Sequence, residues 1–249
     1  MSDSWQLLLI ERDTAAGQMA VDEELARAGR PTFRLFRWRR PAFSLGWKQR
    51  RPGWMDPSAL EREGIELVER PTGGGLAVHG SDLSCSVVVP HASRVPLQEL
   101  MARMGESVAR ACRAFANSVI WQDEATRSRS MVHCLTEPSP YAVMIGERKV
   151  CGFAIRRYST SWLIQGSLLV RRLPDALLRV MPAELQEQFQ ARAISLEAAR
   201  GGPVADADLI HELWDAWRIA WDLPREWTSS GQEMVVESLA QAVGAIDAV

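Results

Sequence analysis

The 249-residue chain carries little net charge, few histidines and no long apolar run, and each shortage excludes a class of protein. Its 29 basic and 31 acidic residues leave a formal charge of -2, which gives no general attraction to nucleic acid or to an anionic membrane. No stretch approaches the roughly 18 apolar residues that a membrane-spanning helix needs. Met1-Ser2-Asp3-Ser4 lacks a basic segment followed by an apolar core, so no secretory leader is expected and a cytoplasmic location is. The cysteines (Cys85, Cys112, Cys134 and Cys151) have no Cys-x-x-Cys spacing, and the four histidines lie far apart. Neither a disulfide framework nor a structural zinc site has support. No internal repeat or low-complexity segment is visible.

What is there is ordinary for a soluble globular protein: 47% hydrophobic and 24% charged residues, enough for a full core. Strands are expected at 5–11, 33–38, 42–46, 64–68 and 82–89, and helices at 17–26, 57–64 and 97–117. Residues 122–137 read as a polar, irregular loop, long enough to point to function. Three β-like segments follow at 141–145, 149–156 and 162–170, the first two joined by a Gly146-Glu147 turn. Helices are then expected at 175–181, 183–191, 206–221 and 232–246. Strand in the first two thirds and helix in the last third predict an α+β fold, a mixed or antiparallel sheet flanked by helices. We expect one domain over 1–249, with 175–249 its mainly helical C-terminal part.

The most telling stretch is Arg70-Pro71-Thr72-Gly73-Gly74-Gly75-Leu76-Ala77-Val78-His79. Glycine tolerates positive φ and lets a main chain lie against a ligand, at a folding cost of roughly 0.5–1 kcal/mol per position. A flexible turn would look the same in isolation. No Gly-Lys-Ser/Thr follows, so this is not a phosphate-binding Walker loop.

Lys149 opens a β-like segment after a tight turn, with Gly152 and Ala154 keeping that segment small. It is either a surface lysine beside Arg148 or a fixed cation able to hold an oxygen as charge develops there. Cys134 lies in the irregular loop, and a nearby ammonium would lower its pKa and make it a nucleophile. Cys85 and Cys112 read as inert core thiols, whereas Cys151 is ambiguous. His79 either lines a pocket or is a hydrogen-bonded structural histidine. Arg70 anchors the glycine loop or faces a ligand. Trp214, Trp217 and Trp221 have helical spacing and read as core. Asp123, Glu124 and Glu137 are metal-ligand candidates only in the weak sense that charged loop residues usually are, and no metal is expected.

The chain resembles the lipoate–protein ligase A and octanoyltransferase family, which shares its catalytic fold with biotin–protein ligases. The resemblance rests on the glycine stretch above and on Gly146-Glu147-Arg148-Lys149-Val150-Cys151-Gly152-Phe153-Ala154. Met19-Ala20-Val21-Asp22-Glu23, Pro41-Ala42-Phe43-Ser44-Leu45-Gly46 and Gln165-Gly166-Ser167-Leu168-Leu169 support it, in the family's order. It implies that Arg70, Thr72, Gly73, Gly74, Gly75, His79, Gly152, Ala154 and Gly166 border the acyl chain, and that Lys149 contacts the reacting carbonyl.

Many ATP-dependent ligases of the family carry Gly-Arg-Asn-Asp before the hairpin, where this chain has Pro138-Ser139-Pro140-Tyr141. The spacing Cys134-x-x-x-Pro138-Ser139-x-Tyr141 is similar instead to the cysteine-dependent octanoyltransferase branch. That likeness implies transfer of an octanoyl or lipoyl group, octanoyl from acyl carrier protein in the first place, through a Cys134 thioester to the lysine of a lipoyl carrier domain, with no cofactor. The alternative is a ligase using ATP and Mg with lipoate or octanoate, in which Cys134 is a bystander. A non-catalytic acyl-binding protein is a third reading, motivated by two departures from the family pattern. Phe153 stands where Gly-Ser-Ala or Gly-Ala-Ala is common, and Gln165 replaces a histidine. Neither nucleic acid nor membrane is an expected partner.

Overall fold

Residues 82–90 alternate Leu83, Cys85, Val87 and Val89 with Asp82, Ser84 and Ser86, and this two-residue period defines two unlike faces of a sheet. The computed structural model describes residues 5–122 and 141–223. Its elements run β1 (Gln6–Asp13), α1 (Ala15–Ala28), β2 (Thr32–Trp38), β3 (Ala42–Leu45), α2 (Pro57–Arg62), β4 (Glu66–Glu69), β5 (Ala77–His79) and β6 (Asp82–Pro90). There follow α3 (Leu97–Arg113), β7 (Val119–Gln122), β8 (Ala142–Ile145), β9 (Arg148–Arg157), β10 (Ser161–Leu169), α4 (Asp175–Val180), α5 (Ala183–Arg192), α6 (Leu196–Arg200) and α7 (Asp206–Ala220).

Seven strands form the main sheet in the order β1-β2-β6-β10-β9-β8-β7. Only β1 and β2 are parallel; the other neighbours are antiparallel, so the sheet is mixed. A smaller sheet, β4-β3-β5, stands apart from it. The strand expected at 42–46 is the centre of this second sheet and not a member of the main one. Its partners explain the difference: β3 bonds to β4 in parallel and to β5 antiparallel, which leaves it no free edge.

One face of the main sheet is apolar on every central strand. Phe33 and Leu35 of β2, Leu83, Cys85 and Val87 of β6, Phe153 of β9, and Ile164 and Leu168 of β10 bury there against α3 and α7. The helix α3 meets them with Leu100, Met101, Met104, Val108 and Cys112, a stripe at three- and four-residue spacing. Trp214 and Trp217 of α7 complete this core, and the Trp217 ring stacks on Phe33 with centroids 4.5 Å apart. The tryptophans expected to build a core do so.

The other face is covered by α1. Met19, Val21 and Leu25 of that helix pack with Phe36, Trp38, Val88 and Leu163. The helix is stopped at both ends by its own sequence. The Thr14 hydroxyl accepts the Gly17 amide N–H at 3.1 Å, and Gly29 at φ 66° closes the C-terminus. A third apolar cluster joins the small sheet (Phe43, Leu45 and Val78) to α2, α4 and α5 through Leu60, Leu177 and Phe189. Strands β5 and β7 and helix α6 were not foreseen. The irregular stretch, apart from Gln122, and the helix expected at 232–246 lie outside the described residues.

Candidate active site

A cavity of about 370 Å³, its mouth included, lies between the two sheets. Helix α1 contributes Met19 to its lining, and β2 contributes Phe36 and Trp38. The small sheet side supplies Ser44, Arg70, Ala77 and His79, and the main sheet supplies Ser84, Gly152, Ala154, Gln165, Gly166 and Ser167. The lining is predominantly apolar or small, with polar atoms at few places, as suits a short aliphatic chain.

The glycine loop closes one side. A Cβ on Gly46 would come within 2.0 Å of the Gly74 carbonyl oxygen, so two main chains touch here and no side chain fits between them. Gly74 itself has φ 89°, a conformation that glycine adopts without strain. Arg70 is buried and staples the loop from within. It donates to the carbonyls of Gly73 and Gly75 at 2.7 and 2.6 Å, and to the Ser44 carbonyl at 3.0 Å. Of the two readings of Arg70, anchoring is met by these bonds, and the residue also lines the cavity.

Thr72, Gly73, Gly74 and Gly75 do not themselves line the cavity. Thr72 reaches it through Gln165, whose side-chain oxygen accepts the Thr72 hydroxyl. The Gln165 amide nitrogen donates to Asp22 Oδ2 at 2.6 Å, and Asp22 Oδ1 takes the Ser86 hydroxyl at 2.6 Å and Arg34 at 2.5 Å. Asp22 and Arg34 are a fully buried ion pair, and Arg34 also donates to Gln18. Burial lowers the Arg34 pKa, and the adjoining Asp22 offsets part of that. Gln165 thus bridges loop and helix with a group that never titrates, which is what its departure from histidine achieves.

A second polar chain runs along the wall. The His79 ring lies 3.9 Å from the Trp38 ring centroid, stacked on it, and its nitrogens bond to Ser44 Oγ at 2.8 Å and to Asp82 Oδ2 at 2.9 Å. Asp82 Oδ2 also accepts the hydroxyls of Ser84 at 2.7 Å and Ser167 at 2.8 Å. The Trp38 indole N–H donates to Ser84 Oγ at 2.9 Å. Burial works to raise the Asp82 pKa, but the His79 ring, the Ser84 hydroxyl and the Gly80 amide outweigh it and hold the carboxyl below its ordinary range. His79 therefore lines the pocket and is hydrogen-bonded at once.

Strand β9 brings Lys149 to this side. Gly152 pairs with Ala142 and Cys151 with Val143, but Met144 pairs with Lys149, so Val150 is an inserted residue. Val150, Cys151 and Phe153 bury in the core under α3, while Gly152 and Ala154 line the cavity. The insertion turns Lys149 onto the face of Gly152 and Ala154; strict alternation would have sent it to the core with Cys151. Lys149 is buried, and its carbonyl accepts the Ile194 amide N–H at 3.0 Å. It is not itself among the residues lining the cavity.

Phe153 points away from the cavity, into the core, with its ring edge-on to Trp121 at 5.7 Å. Gly166 pairs with it across the strands, and a Cβ on Gly166 would meet the Phe153 ring at 2.9 Å and the Cys85 sulfur at 2.8 Å. The bulky residue at 153 is accommodated by the absent side chain at 166. Burial pushes the Cys85 and Cys112 thiols up to about 12, as inert core cysteines require. Cys151 is buried in the same core, which removes it from the site. Cys134, Asp123, Glu124 and Glu137 lie outside the described residues. Among the described residues no three His, Cys, Asp or Glu side chains gather as a metal site. Met19, Phe36, Trp38, Ser44, Ala77, Ser84 and Ser167 line the cavity without having been singled out; the even-numbered spacing of Phe36 and Trp38 was the available signal.

The architecture is that of solved lipoate–protein ligases. A lipoate–protein ligase A bound with ATP superposes with a TM-score of 0.75 at 21% identity, over 98% of this chain and 95% of that one. A putative lipoate protein ligase from T. acidophilum with bound lipoic acid gives 0.71 at 20% identity, over 98% and 95%. The chain belongs to the lipoyl protein ligase A/B catalytic-domain family, whose model matches residues 14–217. An octanoyltransferase LipM from Kyrpidia tusciae is 33% identical over 96% of this chain and 96% of the relative. Another LipM, from Symbiobacterium thermophilum, is 32% identical over 84% and 83%. Among the described residues no helix is long and apolar enough to cross a membrane.

Proposed function

We propose that the protein is an octanoyltransferase of protein lipoylation that moves an octanoyl group from acyl carrier protein to a lysine of a lipoyl carrier domain. The observation that supports the reading is the inserted Val150, because the offset it introduces in the β8–β9 register favours Lys149 on the face of Gly152 and Ala154. The naming of relatives at 33% and 32% identity as octanoyltransferase LipM supports it.

The Cys134 thiolate attacks the carbonyl of the donor thioester, and the Lys149 ammonium stabilises the oxyanion that forms. The tetrahedral intermediate collapses with expulsion of the carrier thiolate, which takes up a proton, and the octanoyl group is left on sulfur. The acceptor amine then attacks this second thioester, Cys134 leaves as thiolate, and Lys149 relays the proton lost from nitrogen. The first step exchanges one thioester for another at nearly constant free energy, and the second converts a thioester to a more stable amide. ATP is not needed. Arg70, which braces the glycine loop through the Gly73 and Gly75 carbonyls, borders the acyl channel, while Gly152 and Ala154 keep its wall free of bulky side chains.

Incubation with octanoyl–acyl carrier protein and no acceptor tests this directly. Intact-mass analysis is expected to show one octanoyl group, mapping to Cys134 and missing from Cys134→Ser. Transfer from free lipoate that requires ATP and Mg and survives Cys134→Ala would replace the thioester route with the adenylate one. Binding of octanoate with turnover from neither donor would leave only an acyl-binding protein.

A further inference from the structure

On the solvent side of the glycine loop stands a side-chain cluster that the acyl channel does not use. Trp47 is 46% exposed, and its amide N–H donates to the Thr72 carbonyl at 2.8 Å, tying it to the loop. The turn that carries it is tightly held: the Gln49 N–H donates to the Gly46 carbonyl at 2.8 Å, and the Gln49 side chain accepts the Gly46 N–H at 2.9 Å. Lys48 sits within it at φ 59°, a left-handed conformation that costs a non-glycine residue roughly 1–2 kcal/mol. The strained turn presents an indole to solvent rather than to a core.

Cations surround that indole. The Lys48 ammonium lies 4.3 Å and the Arg156 guanidinium 4.5 Å from the ring centroid. Arg156 stands two residues beyond Ala154 on the same face of β9 and donates to the Pro71 carbonyl at 2.9 Å. Arg50 and Arg51 follow in the chain and are exposed. Among the described residues none of these four cations forms an ion pair with Asp or Glu. In a chain of net charge -2 this is a local excess, not a reflection of composition.

We propose that Trp47, Lys48, Arg50, Arg51 and Arg156 form the docking face for the acyl donor, an acidic carrier protein that bears its thioester on a phosphate-linked arm. The inference rests on the acyl-transfer reading above. An exposed aromatic anchor rimmed by charge is the layout of a protein–protein hot spot, and unpaired cations steer an anionic partner to it. The acceptor fits the same face poorly, because its lysine approaches as an ammonium that the rim repels. A donor brings anionic side chains and a phosphodiester to the cations while its thioester end enters the channel beside the loop.

The test compares Trp47→Ala/Lys48→Glu and Lys48→Glu/Arg50→Glu/Arg51→Glu with the natural protein. Calorimetric titration with octanoyl–carrier protein gives Kd. Steady-state rates are taken with that donor and with octanoyl-pantetheine, a thioester lacking phosphate and protein. Kd and KM for the carrier donor are expected to rise about tenfold or more, with kcat and the rates from octanoyl-pantetheine unchanged. Affinity should fall with added salt in the natural protein and much less in the variants. Unaltered affinity for the carrier donor, an equal loss with octanoyl-pantetheine, or a rise in KM for the acceptor alone would each overturn the assignment. Carrier protein that binds here without octanoyl transfer would remove the acyl-transfer reading and leave the docking face. Normal transfer with unchanged affinity in both variants would do the reverse.

Discussion

Lys149 and Gly152 share one face of β9 although they stand three positions apart, because Val150 is inserted between the pairs that Lys149 and Cys151 make with β8. In an unbroken strand an odd separation places two side chains on opposite faces. The same residue that breaks the ladder therefore offsets Lys149 from the apolar face of Cys151 and Phe153.

Replacing Lys149 with alanine is expected to lower kcat for octanoyl transfer by about 10²–10³-fold, as for loss of an oxyanion donor. The circular dichroism spectrum should be unchanged. Deleting Val150 should inactivate as well, by a different route: it restores alternation and drives Lys149 toward the core, so the melting temperature falls too. Normal turnover by Lys149→Ala would remove this residue from the mechanism.

Phe153 and Gly166 should behave as a coupled pair. Gly166→Ala adds a methyl that meets the Phe153 ring and the Cys85 sulfur, and overpacking of this kind costs about 1–3 kcal/mol. Phe153→Ala empties part of the core at a cost of about 3–5 kcal/mol. In urea unfolding the double variant is expected to be more stable than the two single losses added together, by about 1 kcal/mol or more. Strict additivity would show that the two residues are not in contact.

Asp82 links stability to pH. Its folded-state pKa is depressed, so it binds fewer protons when native than when unfolded. The stabilisation is complete above the unfolded value near pH 4 and is lost as pH falls below it. Asp82→Asn should therefore lower stability at pH 7, by about 3–5 kcal/mol if the buried partners are left unpaired. It should also flatten the acid limb of a melting-temperature profile between about pH 4 and pH 2. An unchanged acid limb would show that other carboxylates control it.

Alkylation separates the cysteines. Iodoacetamide at pH 8 under native conditions should leave Cys85, Cys112 and Cys151 unlabelled, since all three are buried and the first two have thiols pushed up to about 12. Cys134 is expected to label, and prior octanoylation should protect it. Peptide mapping before and after unfolding reads the result. Native labelling at Cys151 in place of Cys134 would reverse the assignment of the nucleophile.

Much of the scaffold could be read from local pattern. The alternation in 82–89, the apolar stripe from Leu100 to Val108 and the Trp214–Trp217 spacing each produced the element expected, because period and propensity act within a few residues. Strands β5 and β7 escaped because three or four residues carry too little period to be seen; hydrogen bonds to β3 and β8 make them strands. The site was legible in part. The glycine loop and His79 were recognisable as a motif, whereas the bond from Thr72 to Gln165 spans 93 residues of chain and leaves no local trace.

The order of residues by itself determined the two-residue period of the main strands, the caps that bound α1 and the run of glycines that only a close main-chain approach rewards. It did not determine what the polar half of each strand would face. Asp82, Ser84, Ser86, Gln165 and Ser167 alternate with apolar residues in the way of a sheet with one wet side, yet all are buried. Tertiary structure decided this by laying α1 and a second sheet over them. The polar groups tolerate the loss of water because Asp22 and Thr72, brought from distant parts of the chain, and His79, three residues before Asp82, supply the hydrogen bonds that water would have made.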